Sequence, residues 1–376
     1  SHAGWGGGAP GCQAVYDPAT KLIFCLHNNE LHSFDPAAKT WNKLAPAPFP
    51  SMVYPALACD AAGRQLIVVG ADKDSKNLGW SMTVIYDIAS NTWTRLENGT
   101  DAVRQAHEER KARLDAIREL VGCSRFTWYR DPAGAGAEAE RKGLADRAAA
   151  LGKRPGMDAS KSELDAYTAA LAASKGLDAL KAARALQQRF EEAMEAAAPT
   201  PPSRRNARIA FDPANKVVVL FGGDREDSTV NDTWILDVAK KTWRRASPKV
   251  APPTRGGGML TWLPKSGKIA LYDGYVQSVS LNYAARPWDA IAHDLWLYDV
   301  KADSWSLLAT WPANPDASKF FGYASERYAF PAAAADGDDN LIFADGAGVW
   351  KLAVDPAKAD AAAAEKLGQP ANTRTY

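Results

Sequence analysis

Along most of the chain apolar and polar residues alternate with a period of two. The runs are short and close on Asp, Pro, Gly or Asn, which predicts half-buried β-strands joined by tight turns. QAVYD, KLIFCLH and ELHSFD follow one another at spacings too short for helices. A larger pattern then recurs: an apolar strand, a D-P-x-x-K type turn, a second apolar strand, an aromatic-Asp pair, a polar turn and a Trp. Copies end at Trp41, Trp93, Trp243 and Trp305. A fifth, AFPAAAADGDDNLIFADGAG with VWKLAVDP, keeps the turn and two strands but not the closing Trp. Each repeat offers about four antiparallel strands whose apolar faces need a neighbouring sheet, so repeats arranged in a ring are expected. The fifth lacks an outer strand, which residues 4–10 or the tail 368–376 could supply.

Between Trp93 and Trp243 the period becomes helical. Leu114, Ile117 and Val121 share one face, as do Leu164, Tyr167 and Leu171, and then Leu177, Leu180, Phe190 and Met194. Ser160 followed by Glu163 reads as a capping box and Gly176 as a helix end. Three or four helices are therefore expected over residues 101–198. The organisation is then two repeats in residues 1–99, a helical insertion in 100–199, and three repeats with a tail in 200–376. The insertion reads either as a decoration or as a lid or partner-binding arm.

Gly222-Gly223 after a second strand, Tyr86-Asp87 and Tyr298-Asp299 in third strands, and the four Trp residues opening fourth strands together resemble the kelch repeat family. That family of β-propellers includes the catalytic domain of galactose oxidase. The resemblance implies an all-β propeller of kelch-like four-stranded blades, five repeats visible, with an α-helical insertion between blades 2 and 3. It also implies that the links into the innermost strands, and those between second and third strands, emerge on one face. Counting back nine residues from each first turn places Ser203 beside Arg204, then Arg255 and Arg327, at three inner-strand entrances, with Gly8 and Ser51 at two others. Second strands end at or near His27, Asp72, Asp224, Asp273 and Asp345.

Two readings of this mouth stand side by side. The arginines suit bidentate recognition of carboxylate, sulfate or phosphate, or they pair with the blade-end aspartates. A long loop, residues 275–293, adds Tyr275, Tyr283, Arg286, Trp288 and His293, aromatic platforms for a sugar or peptide. In a sugar-epimerising enzyme Arg255 and Arg327 would anchor an acidic sugar while Asp273 or His27 moved protons. Radical-copper chemistry needs two histidines, two tyrosines and a tyrosine-linked cysteine. Apart from His2 only His27, His32, His107 and His293 remain, with His32 at a packing position and His107 on a solvated helix face. No cofactor and no metal are expected. The chain reads as a binding or scaffold module for a carbohydrate or protein ligand. The alternatives are a carbohydrate-active enzyme at the mouth and protein docking through the helices.

Composition narrows the partners. Of 376 residues, 46% are hydrophobic and 24% charged, as in globular proteins. A net charge of +1 lacks the basic footprint of a nucleic-acid binder. No apolar run approaches the roughly 18 residues of a membrane helix. Cys12, Cys25, Cys59 and Cys123 have no zinc-ligand spacing. A two-residue turn at Pro18-Ala19 would set Cys12 opposite Cys25 for a disulfide, whereas a three-residue turn would part them as thiols. A start resembling a trimmed leader or tag, with the Trp-rich, strand-rich body, points to a secreted or periplasmic location.

Overall fold

The computed structural model describes residues 13–27, 29–48, 52–72, 80–96, 101–121, 129, 131, 133–225, 228–275, 292–311, 332–345 and 348–375. Two compact units emerge, Ser1–Leu96 with Pro199–Tyr376, and Glu97–Ala198. The first is mostly β, built of antiparallel sheets whose strands follow chain order, a propeller-like arrangement.

The first sheet comprises Gln13–Asp17, Leu22–His27, Glu30–Asp35 and Thr40–Lys43. The second comprises Met52–Asp60, Gln65–Asp72, Ser81–Asp87 and Thr92–Arg95. Arg208–Asp212, Val217–Arg225, Ser228–Asp237 and Thr242–Arg245 form the third. Met259–Leu263, Lys268–Tyr272, Asp294–Asp299 and Ser304–Thr310 form the fourth. A fifth has three described strands, Ala332–Ala335, Leu341–Asp345 and Gly348–Leu352. The leading strands lie against one another in chain order from first sheet to fifth.

The repeat's aspartates fold the turns. Asp17 accepts the Ala19 amide at 3.0 Å and Asp212 accepts that of Ala214 at 2.9 Å. The last turn residue enters left-handed backbone, φ 60° at Lys21, 55° at Arg64 and Lys216, and 67° at Gly267. The turn consequently spans four residues, with Asp17 opposite Leu22 and Cys25 opposite Ala14. Neither expected turn length is correct, and the register puts Ala14 where a disulfide needed Cys12. Cys12 itself lies outside the described residues.

The repeating Trp is an inter-sheet clamp. Trp93 Nε1 donates to the Ala45 carbonyl after the first sheet at 2.9 Å. Trp243 reaches Thr83 of the second sheet at 3.0 Å, and Trp305 reaches Thr233 of the third at 3.1 Å. Each indole thus crosses to the preceding sheet and satisfies its one donor there. Leu26, Leu66, Val68 and Tyr86 fill the first interface, Phe221, Ile269, Leu271 and Trp296 that of third and fourth sheets, and Leu263, Leu297, Leu341 and Phe343 the next.

Among the described residues of the second unit four α-helices appear: α1 Asp101–Val121, α2 Ala137–Gly152, α3 Lys161–Ala172 and α4 Gly176–Ala196. Four details depart from expectation. His107 is buried, seven residues before buried Leu114 on the packed stripe of α1 rather than on a solvated face. Ser160 makes no side-chain cap, and Glu163 turns to Arg189 instead. Gly176 opens α4, because the left-handed residue ending α3 is Ser174, φ 55°. Leu177 is exposed, and Ala179, Ala183 and Leu186 take the core positions ahead of Phe190 and Met194. No helix among the described residues is long and apolar enough to cross a membrane.

The tail does not complete the fifth sheet. Helix α5, Ala361–Leu367, is capped by Asp360, which accepts the Ala362 amide at 2.8 Å, and it buries Ala364 between third and fourth sheets. Gln369–Pro370 then pairs with Val250–Ala251, and Arg374–Thr375 extends the third sheet beside Thr229 and Val230. Asn231 fixes this course by accepting the Thr373 amide at 2.7 Å. Residues 4–10 lie outside the described residues.

Candidate inner-strand site

Where the chain enters the third and fourth sheets, one side-chain module occurs twice. Arg204 donates from Nε to the Pro202 carbonyl at 2.9 Å, from Nη1 to the Gly222 carbonyl at 3.0 Å, and from both Nη atoms to Asp232, at 2.8 Å for Nη2. Arg255 repeats this with the Pro253 carbonyl at 3.0 Å, the Asp273 carbonyl at 3.3 Å and both oxygens of Asp294, at 2.9 Å for Nη2. Both guanidinium groups are buried, 1% and 0% exposed. Burial works to raise the Asp232 pKa, but the Arg204 charge and hydrogen bonds bring it down to about 2. In each sheet the fork ties the segment leading into the innermost strand to the second-strand backbone, or the residue just after it, and to the third strand.

The partners come from the third strand, two residues before Trp234 and Trp296, and not from the second-strand ends. That signal was present in the sequence as the leading Asp of DTWILD and DLWLYD.

The paired modules also align the two sheets residue by residue. Val217 opposes Asp212 and Lys268 opposes Leu263, so Gly222-Gly223 corresponds to Asp273-Gly274. The backbone agrees: φ is 60° and 121° at the two glycines, 59° and 124° at Asp273 and Gly274. A Cβ on Gly222 would lie 2.5 Å from the Arg255 carbonyl oxygen, so this position demands glycine. Asp273 carries a side chain in the same left-handed conformation, at a cost of roughly 1 to 2 kcal/mol. Its carboxylate accepts the Gly274 amide at 3.0 Å. Burial raises its pKa, the Gly274 amide and Arg255 oppose, Asp294 adds to the rise, and the result is about 7.

Around this pair the sheets differ. In the third, Arg205 and Asn206 stand where the fourth has Gly256 and Gly257, with polar Arg208 nearby, and Gly256 makes room for the Tyr275 ring. A Cβ on Gly256 would meet Tyr275 Oη at 2.5 Å. Tyr275 donates to Asp224 at 3.3 Å and accepts from Asn206 Nδ2 at 2.7 Å, while Arg205 lies 3.5 Å from the same carboxylate. Burial and the Asp224 charge hold the Tyr275 hydroxyl protonated, well above its ordinary pKa. Arg208 donates to the side chain of Gln13, from the first sheet's leading strand, at 3.0 Å. Desolvation lowers its pKa to about 10, with Tyr275 opposing.

The residues singled out from the sequence divide accordingly, with Asp224 and Tyr275 meeting at this site and Asp273 beside it on the Arg255 module. His27 ends the first sheet's second strand opposite Glu30. His293 is half-buried and its carbonyl accepts the Trp311 amide at 3.0 Å. Asp72 and Asp345 end their strands opposite Met52 and Gly348. Arg327, Trp288, Tyr283 and Arg286 lie outside the described residues. Gln13, Arg205, Asn206 and Arg208 were not anticipated, since only tertiary register brings them together.

No protein-family model matches the chain. A solved structure described as a novel fungal alcohol oxidase with catalytic diversity among the AA5 family, in complex with copper, aligns over 88% of this chain. The identity is 11%, the TM-score 0.39, and the chain spans 57% of that protein. Among the described residues no group of three or more His, Cys, Asp or Glu side chains is placed to hold a metal ion.

Proposed function

We propose that the chain is a kelch-like β-propeller acting as a binding module for an acidic ligand, an acidic sugar above all, at the face where the inner strands begin. Blades 1 and 2 would occupy residues 1–99 and blades 3 to 5 residues 200–376, with 100–199 inserted between. The observation that carries the reading is the Arg208 to Gln13 hydrogen bond, 3.0 Å, which joins polar groups of the first and third sheets beside the Asn206, Tyr275 and Asp224 cluster. Arg204 and Arg255 act as structural ties, so the anion falls to Arg205 and Arg208, both part-exposed.

The test is a thermal-shift panel of glucuronate, galacturonate, galactose sulfate and neutral galactose. At about one hundred times its dissociation constant a ligand adds roughly 2.7 kcal/mol and should raise the midpoint by several degrees. The acidic sugars should act, and Arg208→Met should remove the shift. An equal shift with neutral galactose, or in the variant, defeats the proposal.

A second reading, an enzyme moving a proton of such a sugar, is favoured by Asp273, whose pKa of about 7 suits acid-base work at neutral pH. It requires solvent deuterium to enter the bound sugar, followed by NMR, and to stop entering in Asp273→Asn. Uptake that survives the substitution removes Asp273 from the chemistry.

A further inference from the structure

A cavity lies away from that site, between the fourth and fifth sheets, with a volume of about 510 Å³. This is within the range of small-molecule sites, roughly 300 to 1,000 Å³. Its walls are aromatic. Tyr272 and Trp311 stack with centroids 5.1 Å apart and planes at 25°, and Phe343 meets Tyr272 at 4.6 Å. Trp350 and Leu352 enclose it from the last described strand of the fifth sheet.

Two observations say what chemistry fits. Of seven large hydrophobic side chains exposed among the described residues, Val349, Trp350 and Leu352 belong to one five-residue strand, at 73%, 56% and 36%. Trp350 and Leu352 share one face of that strand and line the cavity, and two exposed apolar side chains together at a cavity mouth mark a binding surface rather than scattered exposure. The cavity's charged groups are Lys351, Lys358 and Asp355. Each lysine pairs with a solvent-accessible carboxylate, Lys351 with Asp336 at 3.1 Å and Lys358 with Asp355 at 3.5 Å. Pairs of this kind are worth little, and a ligand anion can replace them. Flat aromatic walls select a flat apolar ring, and two lysines at the rim select an anionic group beside it.

We propose that this cavity binds a flat-ringed organic acid, its ring between Trp311 and Trp350 and its anionic group at Lys351 and Lys358. The site shares no residue with the inner-strand cluster, so either can fail alone. The probe is 1-anilinonaphthalene-8-sulfonate, titrated by fluorescence into the full chain, with uncharged N-phenyl-1-naphthylamine as comparison. Saturable binding is expected, at least tenfold weaker in Lys351→Glu/Lys358→Glu and in Trp350→Ala, and unchanged in the remote Lys249→Glu. All these side chains are exposed, and circular dichroism verifies that the variants fold. Absence of saturable binding overturns the proposal, as does affinity unaffected by the lysine and Trp350 substitutions. Equal affinity for the uncharged naphthylamine overturns the assignment of an acid.

Discussion

The third and fourth sheets carry the same arginine, the same bidentate aspartate two residues before a Trp, and the same pair of left-handed residues, within the second strand of one and just after that of the other. They part at Gly222 against Asp273, Asp224 against Tyr275, and Arg205-Asn206 against Gly256-Gly257. What repeats is a structural joint of these two sheets, and what does not repeat is where a ligand can be distinguished. An arginine at a repeated position is therefore poor evidence for recognition. A carboxylate in a conformation suited to glycine is better evidence, because the strain must be supported by the surroundings.

The sharpest way to break the comparison is to remove one member of each joint. Arg255→Met leaves Asp294 in a buried setting without its cation, and Arg204→Met does the same to Asp232, so each should cost about 3 to 5 kcal/mol in urea unfolding. Changing both partners, as in Arg255→Met/Asp294→Leu, should recover most of the loss, since no buried charge remains. A loss below about 1 kcal/mol in either single variant would show that the fork is not a joint. Next in size is Gly222→Ala. Left-handed backbone costs roughly 1 to 2 kcal/mol and crowding against the Arg255 carbonyl about as much again, for a total of about 2 to 4 kcal/mol. A stability equal to that of the parent would mean that the third sheet tolerates a side chain as the fourth does.

Much of this architecture was legible beforehand. Alternating runs, turn aspartates and the periodic Trp mark local requirements, so strands, turns and inter-sheet clamps could be read from sequence. The helices were legible as a change of period, but their ends were not, because Ser174 took the left-handed position expected of Gly176. The site was half legible. Arg204 and Arg255 could be found by counting, yet their partners depended on register, and counting along second strands pointed to Asp224 and Asp273 instead. Arg208 and Gln13 belong to strands nearly two hundred residues apart, and nothing local announces that they meet.

The smallest expected effect tests Asp273 itself. Asp273→Gly gives the fourth sheet the residue that the third already has. Relief of left-handed strain, about 1 to 2 kcal/mol, is partly offset by the added freedom of glycine in the unfolded chain, about 0.5 to 1 kcal/mol. With the carboxyl protonated, at pH 4.5, the variant should be more stable by no more than about 1 kcal/mol. The folded pKa lies at about 7, above the ordinary 3.8. The carboxyl therefore contributes stability that is present in full below about pH 4 and is lost as pH rises through 7. The glycine variant has nothing to lose over that interval, so its advantage should widen by about 1 to 2 kcal/mol at pH 8, allowing for solvent reaching the half-buried group. Urea unfolding at both pH values measures this. A constant difference would mean that Asp273 titrates as an ordinary carboxylate, and the proton-transfer reading would lose its support while the acidic-ligand site of Arg205 and Arg208 would stand.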